Sequence, residues 1–307
     1  MLSLGVDIGG TKIAAGIINE QGFCIDRIEL PSISDDSEKM FSQVKNSISM
    51  VLKKGNYKLA ELAGIGIGVP GKVEHQNGVA IYQNNLPWIN FPLVERLQEF
   101  FPAKILLDND VYMATFGEWY AAGKKYDETF VFFTISTGIS CCTIHNGRFV
   151  RGAGFAGEIG LSIVDEHPLP SKYLNDGCLE AVASGPAIAH YTNIHRNLSG
   201  GSDKWTTKEV IDAYFSGEPF VIEIIQNIFR YIARGIHSIT CLLDPDKLIL
   251  GGGVMNHNPK LIHPLLEELD KLLVPEQKNI LHRIQASKLK GDAGIIGAGL
   301  RVLEDFS

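Results

Sequence analysis

One order of residues occurs twice in this chain, and it restricts the possible folds more than any other feature. Residues 4–8 read as a buried strand, Gly9, Gly10, Thr11 and Lys12 force a turn, and residues 13–18 run back as a second strand. Asn19-Glu20-Gln21-Gly22 then turns the chain into a third strand, residues 23–30. Residues 129–135 repeat the opening with an apolar strand, Ser136, Thr137 and Gly138 form a small-residue turn, and residues 139–144 return toward a hairpin turn at 145–148. A meander duplicated with glycine and hydroxyl residues in both first turns implies two facing halves that grip one polyphosphate. In the first copy glycine lets the backbone approach an anion, Thr11 and Lys12 add a hydroxyl and a cation, and Asp7 can hold a metal ion through water. A bare Gly-Gly turn would be a plain connection between strands; Asp before it and Thr-Lys after it favour phosphate.

Between and after these meanders the pattern alternates strand and helix, the mark of an α/β fold. Polar residues 34–38 can cap a helix whose Phe41, Val44, Ile48, Val51 and Leu52 recur at helical spacing until Gly55. A buried strand is expected at 62–69 and a short edge strand at 79–82. The loop that follows carries Asn84, Asn85 and a tryptophan, Trp88, expected to be exposed. Those amides either cap the loop's own backbone or, with the ring, hold a polyol. A helix is expected at 91–101, and the strand at 104–107 runs into Asp108-Asn109-Asp110. Ligands of α/β sheets sit beyond the carboxyl ends of strands, so Asp110 is placed to take a proton from a substrate hydroxyl while Asn109 orients that substrate. Asp110 is equally placed to cap the helix at 111–122, and the two roles are compatible. Farther on, Thr206 can cap a helix that ends at Gly217, and a strongly apolar helix spans 219–243. The strand at 247–250 feeds Gly251, Gly252 and Gly253, where either an adenine or a closely packed helix start would fit. His257, His263 and His282 lack paired spacing, and residues 292–306 read as an Ala/Gly-containing amphipathic helix.

Composition excludes several classes. The 28 basic and 35 acidic residues give a net charge of −7, with no basic excess to meet nucleic acid or an anionic membrane surface. Five cysteines without CxxC spacing read as reduced thiols, not a disulfide framework. The first strand begins almost at Met1 and no apolar run is long enough to span a bilayer, so a cytoplasmic protein without an N-terminal signal is expected.

Eight motifs in order carry a resemblance over essentially the whole chain: DIGGTK at 7–12, GVPGKV at 68–73, NNLPW at 84–88, DNDVYMATFGE at 108–118, STG at 136–138, GFAGEIG at 154–160, GCLEAVASG at 177–185 and LGGGV at 250–254. The sequence resembles the ROK family of sugar kinases, the bacterial glucokinase and N-acetylmannosamine kinase type. The resemblance implies a two-domain actin/hexokinase-like ATPase fold of duplicated ribonuclease H-like units. It implies an N-terminal domain of residues 1–118 completed by a C-terminal helix at 292–307, and a larger domain of residues 119–291. It also implies ATP and Mg²⁺ as cofactors, the 6-hydroxyl of a hexose as acceptor, and a homodimer. Asp110 would be the catalytic base. Gly71, Asn84, Asn109, Glu158 and Glu180 would contact the sugar. Gly9 to Lys12, with Asp7, and Ser136 to Gly138 would hold the phosphates and their metal, and Gly252 and Gly253 would lie near the nucleotide.

The departures carry expectations too. Family members usually hold a structural zinc with a His after the Glu-Ile-Gly run and three cysteines of a CxCGxxGCxE motif. Here those positions are Leu161, Ser171, Tyr173 and Cys178. One thiolate cannot hold zinc in a tetrahedral site, so no structural zinc is expected. The second phosphate turn is followed by Ile139-Ser140-Cys141-Cys142 where the family tends toward glycine. Two other readings compete: a non-catalytic sugar sensor, which would need a DNA-binding element that this chain lacks ahead of Asp7, and a kinase of another small substrate on the same fold.

Overall fold

The computed structural model of the chain describes residues 1–83, 85–166, 170–171, 174–198 and 203–304. Two compact units emerge, one of Met1–Asp127, Cys142–Ala156 and Lys288–Ser307, the other of Glu128–Cys141 and Gly157–Ser287.

The first unit is built on the N-terminal meander. Strands β1 (Leu2–Ile8), β2 (Lys12–Asn19) and β3 (Cys24–Pro31) pair antiparallel, with Leu2 opposite Asn19 and Ile8 opposite Ile13. Helix α1 (Ser37–Lys54) follows, capped by Asp36, whose carboxylate accepts the Glu38 and Lys39 N–H groups at 3.0 and 2.9 Å. Its buried stripe of Met40, Phe41, Val44, Ile48 and Val51 covers the sheet; each such side chain contributes about 1.5–3 kcal/mol by leaving water. Strand β4 (Leu62–Val69) lies parallel to β1. A small antiparallel sheet of β5 (Lys72–Glu74), β6 (Val79–Tyr82) and β7 (Ile89–Phe91) comes next, then α2 (Leu93–Gln98), β8 (Ile105–Asn109) parallel to β4, and α3 (Asp110–Ala121). The main sheet therefore has the order β3-β2-β1-β4-β8.

Three expectations are corrected here. Strand β6 is the centre of the small sheet, not an edge, because the three-residue strands beside it are too short to show periodicity in the sequence. The helix expected at 91–101 is only six residues long, because β6 pairs Ala80 with Phe91 and draws that residue into β7. Trp88 is not an exposed platform: it is 1% exposed, stacks on Phe91 at 4.9 Å and donates its indole N–H to the Ser37 carbonyl at 3.2 Å. A ring of that size with a satisfied N–H is worth more in the core than in a loop.

The second unit repeats the topology. It holds β9 (Thr129–Ile135) and the first residues of β10 (Ile139–His145), which runs on toward β11 (Arg148–Phe149) in the part grouped with the first unit. Helices α4 (Leu179–Ala183), α5 (Gly185–Leu198), α6 (Thr207–Phe215) and α7 (Pro219–Leu243) follow, then β12 (Lys247–Gly251), α8 (Gly252–His257), α9 (Ile262–Asp270), α10 (Ile280–Arg283) and β13 (Ile284–Ala286). β12 is parallel to both β9 and β13, and the sheet order β11-β10-β9-β12-β13 matches the first sheet strand for strand. The duplication read from the turns is thus a duplication of whole sheets. Helix α7 buries Val221, Ile224, Ile228, Ile232, Ile236 and Ile239 against this sheet's core.

The chain returns to the first unit as α11 (Ala293–Leu303). Residues 293–302 are all buried, so this helix is enclosed, not amphipathic. Its glycines explain the depth: a Cβ on Gly297 would stand 1.7 Å from the Met113 carbonyl oxygen of α3, and one on Gly66 of β4 would stand 1.9 Å from the Ala298 carbonyl oxygen. Helix backbone here rests directly on neighbouring backbone. Among the described residues no helix is long and apolar enough to cross a membrane.

Candidate functional site

In the first unit, parallel strands β1, β4 and β8 end in register, with Asp7 beside Gly68, Gly68 beside Asp108 and Val69 beside Asn109. The polar residues that end these apolar strands therefore collect at one carboxyl edge. The turn after β1 is tied at its base: Gly9 N–H donates to the Lys12 carbonyl at 2.8 Å, and Ser32 donates its hydroxyl to the Gly9 carbonyl at 2.6 Å and its N–H to the Thr11 carbonyl at 3.0 Å. Asn85 leans over it, since a Cβ on Gly10 would come 2.8 Å from the Asn85 Cβ. The Lys12 ammonium is paired with Glu29 at 3.0 Å, and Arg27 joins Glu29 to Asp292. The cation expected at the phosphate turn is thus held beside it by β3.

Asp7 and Asp110 form the electrostatic centre of this edge. Burial pushes the Asp7 carboxyl up to about 6, against the pull of Lys12 and Arg27. Burial and then the charge of Asp7 push Asp110 up to about 7. Asp110, raised by burial and by the neighbouring Asp7, is thereby brought near neutrality, where proton transfer is most useful. Asp110 also accepts the Val111 N–H at 2.9 Å.

The helix cap itself is Asn109, not Asp110. The Asn109 side-chain oxygen accepts the Val111 and Tyr112 N–H groups at 2.9 and 3.3 Å, while its amide donates to the Gly71 carbonyl at 3.1 Å. Gly71 has φ +79°, and a Cβ there would stand 2.3 Å from the Tyr82 carbonyl oxygen, so only glycine fits. Two residues expected at a sugar are therefore joined by a hydrogen bond. Asn84 lies outside the described residues.

Asp108 has a different task. Arg151 binds both of its oxygens at 3.1 and 2.6 Å, Arg301 of α11 reaches it at 2.6 Å, and the Asn109 N–H donates to it at 2.9 Å. Burial alone would raise this carboxyl, but the two guanidinium groups hold it below the usual range. Both guanidinium groups lie about one ring contact from Phe149, at 5.1 Å. Neither arginine was expected at the site. The available signal was Arg301, a single charge within the apolar run 293–303.

In the second unit the turn at 136–138 is ringed by helix starts. Ser136 N–H donates to the Gly138 carbonyl and Gly185 N–H, at the start of α5, to the Ser136 carbonyl, both at 2.8 Å. The Glu180 carboxylate, in the first turn of α4, accepts the Ile139 N–H at 2.7 Å, and a Cβ on Gly138 would meet it at 2.5 Å. Burial raises the Glu180 carboxyl, with this N–H opposing. Gly252 and Gly253 open α8 against the same turn: a Cβ on Gly253 would lie 3.6 Å from the Ser136 hydroxyl. Glu158 precedes the single helical turn Ile159–Leu161, where Gly160 sits so near Ile139 that a Cβ would come 2.0 Å from its carbonyl oxygen. Expected phosphate, nucleotide and sugar residues of this unit, Thr137 included, thus gather around one loop.

The donor set where the resemblance implies zinc does not fit that ion. Leu161 is exposed, Ser171 makes a local turn, Tyr173 lies outside the described residues, and burial raises the buried Cys178 thiol toward the protonated form. No group of three His, Cys, Asp or Glu side chains able to hold a metal occurs among the described residues.

A ROK family model matches residues 3–304. The chain is 28% identical over 308 residues to the glucokinase of Halalkalibacterium halodurans, covering 96% of this chain and 93% of that one. It is 28% identical over 305 residues to the N-acetylmannosamine kinase of Escherichia coli O7:K1, covering 99% of each. Among solved structures, a ROK family glucokinase from Streptomyces griseus in complex with glucose and AMPPNP is similar with a TM-score of 0.83 and 25% identity, over 97% of this chain and 98% of that one.

Proposed function

This chain belongs to the ROK family, and on that premise we propose that it is an ATP-dependent sugar kinase acting on the 6-hydroxyl of a hexose or N-acetylhexosamine. Glucose and N-acetylmannosamine are the leading candidates, on the strength of the two named relatives. AMPPNP in the S. griseus complex supports ATP as donor. The observation that carries the reading is Asp110, a carboxylate just beyond the carboxyl ends of the parallel strands β1, β4 and β8, with its pKa pushed up to about 7.

Asp110 accepts the hydroxyl proton as the sugar oxygen forms its bond to the γ-phosphorus and the bond from phosphorus to the ADP oxygen breaks. Asn109 and Gly71 orient the sugar, with Asn84, Glu158 and Glu180 as further contacts. Gly9, Gly10, Thr11 and Lys12, and Ser136, Thr137 and Gly138, hold the phosphates, with Gly252 and Gly253 near the base. Asp7 offers the carboxylate oxygen that magnesium prefers, and the ion would neutralise charge on the phosphates.

The test is ATP consumption with a panel of glucose, mannose, their N-acetylamino forms and β-glucosides. One of these sugars should drive it, and Asp110→Asn should lower kcat by about 10²- to 10⁴-fold, roughly 2.7–5.5 kcal/mol of transition-state stabilisation, with sugar affinity little changed. ATP consumption indifferent to every sugar, or an active Asn variant, would defeat the proposal.

A further inference from the structure

We propose that Tyr231 and Arg234 of α7 are positioning residues that clamp the segment ahead of Glu180, doing with hydrogen bonds what a structural zinc would otherwise do. The inference rests on the reading of Glu180 as a sugar contact only for its effect on KM.

The segment leaves the helical turn Ile159–Leu161 and returns at Cys178 to start α4. Its two legs are zipped together. Leu179 N–H donates to the Ser162 carbonyl at 2.9 Å, Ile163 bridges Cys178, and the Val164 and Asp165 N–H groups share the Gly177 carbonyl at 2.9 and 3.2 Å. Helix α7 then grips the outgoing leg from outside. The Tyr231 hydroxyl donates to the Asp165 carboxylate at 2.9 Å, and the Arg234 guanidinium donates to the Val164 carbonyl. Residues three apart on a helix share a face, so one turn of α7 presents both donors. The next residue, Gly235, seats α4: a Cβ there would come 2.6 Å from Leu179 Cδ2. One stretch of α7 therefore sets the register of both the clamped leg and the helix that bears Glu180.

The former ligand positions have been put to other uses. The Ser171 hydroxyl accepts the Leu174 N–H at 3.2 Å and its own N–H donates to Asp176 at 2.7 Å, while Cys178 lies at the bridge. The clamp borders a polar cavity of about 370 Å³ lined by Asp165, Glu166, Asn227, Arg230, Tyr231 and Arg234, so shortening these side chains admits water without overpacking.

The decisive experiment compares wild type with Tyr231→Phe/Arg234→Met by hydrogen exchange, metal analysis and kinetics. Loss of these two hydrogen bonds predicts roughly tenfold or greater acceleration of exchange in peptides covering 161–166 and 175–180, with β9 and β12 unchanged. Sugar KM should rise while kcat stays within about twofold, Arg234→Lys should restore most of the protection, and Tyr231→Phe alone should give a smaller shift in the same direction. Wild-type protein should carry no stoichiometric zinc and should be indifferent to a chelator in both exchange and rate. One zinc per chain whose removal frees the same peptides, or unchanged exchange in the double variant, would overturn the clamp. Wild type that phosphorylates no sugar would instead defeat the kinase reading and leave the exchange result standing.

Discussion

Asp110 sits where burial and a like charge work together, and its titration has two consequences. The base form exists above about pH 7 and disappears below it, so kcat/KM should fall tenfold per unit as pH drops beneath that value. Replacing Asp7 with Asn removes the neighbouring charge and should move this limb to lower pH in a pH–rate profile; an unmoved limb would mean that the two carboxyls do not interact. The second consequence concerns stability. A carboxyl whose folded pKa lies above its unfolded value of 3.8 binds more protons when folded, so its contribution is most favourable below about pH 4 and is lost as pH rises toward 7. Asp110→Asn should therefore be more stable than wild type at pH 8, with the difference vanishing near pH 4 in thermal melts. Asp110, Asn109 and the glycine turns were legible because strand ends and loops are written in local residue order. The buried partners of Asp108 were not, since Arg151 and Arg301 meet it across 43 and 193 residues of chain. Trp88 misled for a related reason: its neighbours look like a loop, and only the stack on Phe91 and the Ser37 carbonyl make it core.

Elements were legible in proportion to their apolar runs. Strand β4 and helix α7 occupy the expected residues, 62–69 and 219–243, because continuous or periodic burial marks both their ends. Short strands β5 and β7 carry no such mark. Helix α11 was expected in place but not in character, because its glycines, which let backbone approach backbone, are silent in a hydrophobic pattern. That helix brings Arg301 to Asp108, and the pair is 7% and 4% exposed. Arg301→Met should keep the helix apolar yet destabilise the protein by about 3 kcal/mol, the low end for removing one partner of a buried pair, since Arg151 remains. Urea unfolding measures it; a loss below about 1 kcal/mol would place this pair with ordinary surface bridges.

For the molecule as a whole, the repeated turns foretold the repeated strand order, because each sheet begins with its most regular part. We propose a homodimer, expected in light scattering at about twice the chain's 33.7 kDa, with a monomer at working concentration counting against it. The enclosed helix at 293–303 bears on how the protein is made. At a translation rate of 5–20 residues per second, the stretch of roughly 160 residues between the two main parts of the first unit takes about 10–30 s to emerge. Throughout that interval the nascent β1 and β4 lack the helix that roofs them, whereas β9, β12 and β13 are all encoded by residue 286. The unit whose strands come first in the chain is thus the one whose apolar sheet face stays uncovered longest, until residues 293–303 have been made.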